Sequence, residues 1–131
     1  MKALFHLSFI TFTFCLYGCG SNVSTISGKV TLDGKILDKG DIGFHQAEGV
    51  VVSTTRINPD GSYKVGQEAN TLPGNYKIVI IANEFTISKG PGSVRMPTRI
   101  TPLAYSNKEK TPLKAELKVG ANEFNFDLIT K

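Results

Sequence analysis

Leu72-Pro73-Gly74-Asn75-Tyr76-Lys77-Ile78-Val79-Ile80-Ile81-Ala82 is the stretch on which the fold turns. Leu72-Pro73-Gly74 reads as a turn, because Pro presets φ and Gly accepts backbone angles that other residues avoid. After it, Tyr76, Ile78, Ile80 and Ala82 fall on one parity, with Lys77 and Val79 on the other. Period two over this length is the pattern of a β-strand. It is the longest and most apolar such pattern outside the N-terminal region, so it is expected at the centre of a sheet.

Working toward the N-terminus, Ser62-Tyr63-Lys64-Val65 forms a shorter strand behind the turn Asn58-Pro59-Asp60-Gly61. Residues 50–57 are β-branched almost throughout, which favours another strand. Ile42, Phe44 and Gln46 alternate behind the turn Asp38-Lys39-Gly40, and Ile36-Leu37 follows the hairpin signal Asp33-Gly34. Ile26, Gly28, Val30 and Leu32 open the series. Toward the C-terminus, residues 83–110 carry Gly90, Pro91, Gly92, Pro97 and Pro102 and read as a long irregular segment, of the kind that carries function. Residues 111–117 form a strand, and Val119-Gly120-Ala121-Asn122 a connector. Phe124, Phe126 and Leu128 then point inward, with Asn125 and Asp127 outward. Short strands at regular spacing predict an all-β sandwich over residues 26–131.

The first eighteen residues are different in kind. Met1-Lys2 leads into an apolar run to Tyr17, about fifteen residues long, whereas a membrane-spanning helix needs about 20. The length is that of a signal-peptide core. It ends in Leu16-Tyr17-Gly18-Cys19-Gly20. This resembles the lipobox of bacterial lipoproteins, with Leu at −3, a small residue at −1 and Cys at +1; Tyr17 departs from the usual residue at −2. The resemblance implies cleavage between Gly18 and Cys19 and acylation of Cys19, with membrane lipid as the first partner. Two or three acyl chains anchor stably, each buried methylene contributing about 0.8 kcal/mol. Residues 19–25 would then be the lipidated Cys and a short polar tether. With no Asp after Cys19, the resemblance points to the outer membrane, on its periplasmic or surface side.

The remaining bulk properties agree. The two cysteines are Cys15, in the leader, and Cys19, so the mature domain is expected to have no disulfide and to hold by packing alone. Fifteen basic and eleven acidic residues give a net charge of +4, and cleavage removes Lys2. This mild excess is spread along the chain without a basic cluster interleaved with aromatics, which argues against a nucleic-acid partner.

Four tracts now stand in a recognisable order: Ser27-Gly28-Lys29-Val30 with Asp33-Gly34-Lys35 and Lys39-Gly40; Pro59-Asp60-Gly61-Ser62-Tyr63; Leu72-Pro73-Gly74-Asn75-Tyr76-Lys77-Ile78; and Val119-Gly120 with Asn122, Phe124, Phe126 and Leu128. Together they resemble the carboxypeptidase regulatory-like domain of small bacterial lipoproteins, a transthyretin-like (prealbumin-like) β-sandwich. The resemblance implies a Greek-key sandwich of about seven strands, also described as immunoglobulin-like, used as a spacer, adhesion or ligand-contacting module. A related fold serves hydroxyisourate hydrolase, whose histidines, arginine and Tyr-Arg-Gly-Ser tail are missing here. The tail is Leu128-Ile129-Thr130-Lys131, and His45 is the one histidine outside the leader. An internal Lys–Asn crosslink would require Lys29 with Asn125 or Asp127, all on the polar parity of their strands. No metal set, cofactor or catalytic constellation can be assembled.

The expectation is therefore a membrane-anchored, non-enzymatic β-sandwich lipoprotein, acting as a structural or protein-interaction module of the cell envelope. The alternative is a carbohydrate- or anionic-polymer-binding lipoprotein that uses residues 83–110, with Arg95, Arg99, Tyr105 and Lys108 as its ligand-contacting side chains. Both share the anchor. Cys19→Ser should abolish incorporation of a fatty-acid analogue in metabolic labelling, and equal labelling of the variant and the parent would remove the lipobox.

Overall fold

A computed structural model describes residues 22–47 and 51–130. The expected signal peptide, its cleavage between Gly18 and Cys19 and the expected acylation of Cys19 lie outside the described residues. The described residues are all-β: β1 (Ser24–Leu32), β2 (Lys35–Ile36), β3 (Asp41–Gln46), β4 (Val51–Arg56), β5 (Ser62–Val65), β6 (Gly74–Ile81), β7 (Asn83–Ile87), β8 (Arg95–Arg99), β9 (Lys114–Leu117), β10 (Gly120–Glu123) and β11 (Phe126–Leu128). Two short 3-10 turns, Gln67–Ala69 and Leu103–Ser106, complete it.

One sheet is built around β1. Its first half lies between β10, in parallel, and β5, antiparallel; its second half lies between β11, in parallel, and β2. Ser24 faces Gly120, Val30 faces Phe126 and Leu32 faces Leu128, so β10 and β11 are one strand in a single register, interrupted at Phe124 and Asn125. The second sheet is antiparallel, in the order β4-β3-β6-β9. Strand β6 returns to lie beside β3 after β4 and β5, and β5 has crossed to the first sheet. This is a Greek-key connection. Counting β10 and β11 as one, the sandwich has the expected seven main strands, to which β2 and the β7-β8 hairpin are added.

The core lies between the two sheets, where the period-two residues meet. Ile26, Val30, Tyr63, Val65, Phe126 and Leu128 come from the first sheet. Ile42, Phe44, Tyr76, Ile78, Ile80 and Leu117 come from the second. Phe44, Tyr63, Phe126 and Phe124 form a chain of ring contacts with centroids 6.0–6.4 Å apart, within the range that stabilises aromatic pairs. Val79, on the other parity of β6, is buried too; the 3-10 turn Leu103–Ser106 lies against this strand.

Two tyrosines are fixed at both ends. The Tyr76 hydroxyl donates to the Leu72 carbonyl at 2.7 Å, closing the turn at Pro73-Gly74 as in the tyrosine corner of immunoglobulin-like sandwiches. The Tyr63 hydroxyl donates to the Phe124 carbonyl, also at 2.7 Å. Burial pushes the ionisation of both phenols up, for Tyr63 with a further push from the Glu123 charge. The same Phe124 carbonyl oxygen sits 1.7 Å from where a Cβ on Gly28 would be. Only glycine allows this approach. Beside it, the Phe124 amide donates to the Ser27 carbonyl at 2.9 Å. The Lys29 amide donates to Asn125 Oδ1 at 2.8 Å, so a side chain fills the break in the ladder.

The turns follow their sequences. Asp33 and Gly34 both have positive φ, the signature of a type I′ hairpin. The Gly61 amide donates back to the Asn58 carbonyl at 2.9 Å, and Asp60 accepts from Ser62, which holds its carboxyl below the usual range.

Four expectations are corrected. Residues 83–110 are not irregular: they form the β7-β8 hairpin, the turn Leu103–Ser106 and a hydrogen-bonded turn at Asn107. Gly90, Pro91 and Gly92 mark the tip of that hairpin, and Pro97 sits where a strand tolerates it. The connector at residues 119–122 is mostly strand, because β10 takes up the free edge of β1. Asn122 makes the preceding turn, accepting from the Lys118 amide and donating to its carbonyl. The segment expected as a polar tether, residues 19–25, runs into strand: Ser24 is already buried in β1, donating its amide to Thr71 and its hydroxyl to Lys118. Finally, β2 is minimal: Ile36 is exposed, and Leu37, past its end, enters the core.

These contacts rank three substitutions. Gly28→Ala forces backbone apart and should cost about 3 kcal/mol, the upper end for overpacking, and Phe126→Ala should cost about 3–5 kcal/mol. Arg95→Ala, on an exposed strand, should shift stability by under about 0.5 kcal/mol. Thermal melts decide the order; a tolerant Gly28→Ala would mean that β1 and Phe124 are not in this contact.

Candidate functional site

Strands β7 and β8 continue the line of β6 beyond the sandwich. Residues Glu84 through Arg99 are all exposed. The hairpin nevertheless has a defined structure, with Asn83 opposite Arg99, Phe85 opposite Pro97 and Ile87 opposite Arg95. Its end is closed by the Ser88 amide donating to the Val94 carbonyl at 3.1 Å and the Val94 amide donating to Ser88 Oγ at 3.0 Å. Its base is closed by the Ile100 amide on the Ala82 carbonyl at 3.0 Å and by the Ala82 amide on Thr101 Oγ1 at 3.1 Å. Thr101 is buried, so the hairpin is clamped where it leaves the core.

The side chains it presents are unusual for a solvated element. Phe85, Ile87, Val94 and Met96 are all more than half exposed. The Arg95 guanidinium lies 4.4 Å above the Phe85 ring, a cation–π contact. Phe85 and Arg95 also form one side of a cleft of about 720 Å³, whose opposite side carries Asp38, Asp41 and Arg56. Lys39 pairs with Asp38 at 3.7 Å across exposed surface. Arg56 and Arg95 have no carboxylate partner among the described residues.

The four ligand-contacting residues expected from sequence do not form one group. Arg95 is at the cleft. Arg99, at the base of the hairpin, donates to Ser106 Oγ, which in turn donates to the Leu103 carbonyl. Tyr105 packs partly against the core, and its hydroxyl accepts from the Ile129 amide at 3.2 Å; it secures the C-terminal residues rather than offering an open ring. Lys108 lies near His45. Burial, with Lys108 adding to it and Glu109 opposing it, lowers the His45 pKa and favours the neutral imidazole. Sequence reasoning did not place Arg95 over the Phe85 ring, and it missed Arg56 as the second guanidinium. Register was the missing information: only the pairing of β7 with β8, and of Asp41 with Arg56, brings them to one place.

A second concavity, of about 820 Å³, covers the outer face of β1, with Lys29, Ser62, Lys64, Glu123 and Asn125 among its lining. Lys29, Asn125 and Asp127 are exposed, as their parity predicts. Asn125 Oδ1 is engaged by the Lys29 amide, and Asp127 Oδ1 by Thr31 and Gly34. These polar groups serve the sheet. Among the described residues no group of three or more His, Cys, Asp or Glu side chains is placed to hold a metal ion, and no helix is long and apolar enough to cross a membrane.

No family model matches the chain, and no curated protein sequence matches it significantly. Among solved structures, a 9R-lipoxygenase from Cyanothece PCC8801 is similar over 83% of this chain and 16% of that one, at 11% identity and a TM-score of 0.42. A similarity this weak carries no argument about fold or activity.

Proposed function

We propose that the protein is a non-enzymatic lipoprotein of the bacterial envelope, anchored through Cys19, whose sandwich holds the β7-β8 hairpin out toward another envelope component. The carboxypeptidase regulatory-like resemblance supports a module of this kind. The observation that carries the proposal is the hairpin itself. It is clamped at its base, exposed along its length and furnished with four large apolar side chains. By register Phe85 and Ile87 share one face of the hairpin and Met96 lies on the other, so both faces present apolar side chains, and exposed apolar surface marks contact sites.

Its position fits the anchor. The described chain enters the fold at Ser24, which bonds Thr71 and Lys118. Strand β6 starts next to this end, at Gly74, and the hairpin follows its far end, at Ile81. Eight residues of strand separate the two, roughly 26 Å at 3.3 Å per residue. The tether and the hairpin therefore leave opposite ends of the sandwich, and the domain acts as a spacer between membrane and partner.

The alternative, an anionic polymer or glycan held by residues 83–110, retains Arg95 but divides its other residues among separate places. Photo-crosslinking of the anchored protein in cells separates the readings. A photoreactive residue at Ile87 should give discrete protein crosslinks, whereas one at Val119, exposed near the tether end, should give few. Equal crosslinking from both positions would contradict the proposal. Pull-down on isolated cell wall that Arg95→Ala weakens, with no protein crosslinks, would favour the polymer.

A further inference from the structure

The hydrogen-bond parity of the hairpin can be worked out from its two ends. The Ile100 amide bonds the Ala82 carbonyl, and the Ser88 amide bonds the Val94 carbonyl. In an antiparallel pair, hydrogen-bonded and non-hydrogen-bonded pairs alternate. Glu84–Thr98 and Thr86–Met96 are therefore the bonded pairs of the ladder. Asn83–Arg99, Phe85–Pro97 and Ile87–Arg95 are the non-bonded ones. In β7 the backbone N–H and C=O of Asn83, Phe85 and Ile87 thus point away from β8. In β8 the middle outward-facing position is Pro97, which has no N–H to offer.

The hairpin is consequently asymmetric. The outer edge of β8 is blocked at its centre by proline, a common way for natural sheets to protect an edge. The outer edge of β7 has no proline and no glycine, and two of its three outward positions carry Phe85 and Ile87, 54% and 70% exposed. Among the described residues, strand β7 pairs with no strand other than β8. The cleft described above lies along this edge. Three consecutive residues, Asn83, Glu84 and Phe85, line it. Neighbouring residues of a strand face opposite sides, so a cleft that meets all three is looking at the edge.

The other wall of the cleft is the approach to β3. Asp41, its first residue, pairs with Ile81, the last residue of β6. Beyond that pair the chain leaves the sheet through Gly40, and among the described residues no strand pairs with β7 on that side. A strand laid there would take up where β3 stops.

We infer that the open edge of β7 binds an extended polypeptide segment of another protein, which adds to it as a further strand. A row of free backbone donors and acceptors spaced for a ladder is complementary to an extended peptide backbone and to little else. The cleft carries the carboxylates of Asp38, Asp41 and Glu84 beside Lys39, Arg56 and Arg95, so its side-chain preference comes from Phe85 and Ile87, which favour an apolar residue in the segment. This inference rests on the reading of the hairpin as the contact element and specifies what it contacts.

The test uses a phage-displayed library of unstructured peptides as probe, panned on the full mature chain. Peptides that bind should tolerate Phe85→Ala within a few-fold, since the backbone amide remains. They should lose about tenfold or more in affinity on Phe85→Pro, which removes an outward N–H worth about one hydrogen bond and blocks the edge. The Phe85 amide donates nothing to β8, so Phe85→Pro leaves the hairpin ladder intact, and amide protection at Glu84 and Thr86 verifies that it does. Equal binding to both variants, or no peptide selected, would overturn the inference. So would a dimer that Phe85→Pro dissolves, because the occupant would then be a second copy. If in-cell crosslinks from Ile87 persist while the displayed peptides ignore Phe85→Pro, the hairpin is the contact element but does not bind by strand addition.

Discussion

The carbonyl of Phe124 is the point on which this fold closes. It accepts the Tyr63 hydroxyl and rests where Gly28 has no side chain. Around it, the last part of the chain lies parallel to the first in one register, from Ser24 with Gly120 to Leu32 with Leu128. Parallel pairing of strands so far apart in sequence closes the whole domain as a loop, and the loop-closure entropy must be met by contacts formed together. A bulkier residue at position 28 would separate Phe124 from both β1 and Tyr63. The stack Phe44-Tyr63-Phe126, which joins the two sheets, would be disturbed with them.

This arrangement explains how a small domain is held without a disulfide among the described residues. Strand β1 has neighbours on both sides along its length, and β6 is flanked by β3 and β9. Each is central to its sheet. The ends of the chain are used as well: Thr130 bonds Asp33, and Ile129 bonds Tyr105. The hairpin, by contrast, adds nothing to the core. An exposed apolar strand with one unprotected edge is an aggregation liability. Its firm clamp at Ala82 and Thr101 and its one-sided protection by Pro97 are consistent with an element kept for contact.

Much of this was legible in the sequence. Period two from Tyr76 to Ala82, from Ile26 to Leu32 and through Phe126 and Leu128 identified inward faces, because sheet parity is a local property. The turns at Asp33-Gly34 and Pro59-Asp60-Gly61 were legible for the same reason. What was not legible depends on pairing between distant segments. Gly28 looked like one more inward position of β1, and its role appears only when Phe124 is beside it. Residues 83–110 looked irregular because Gly and Pro density marks loops; here Pro91 and Gly92 mark a hairpin tip and Pro97 lies on a non-bonded position. Tyr105 looked like an open aromatic until its hydroxyl was seen to secure Ile129.

The account rests on a closed sandwich bearing a hairpin with one open edge, and residue-resolved amide hydrogen exchange on the intact protein tests both parts at once. The amides of Val30, Ile78 and Phe124, bonded within the fold, should exchange only through global opening, as core amides do. In β7 the rates should alternate, with Glu84 and Thr86 protected and Asn83, Phe85 and Ile87 exchanging freely. Slow exchange at Phe124 together with this alternation is the predicted result. Uniform exchange along β7, or a Phe124 amide as fast as those of the hairpin tip, would contradict it.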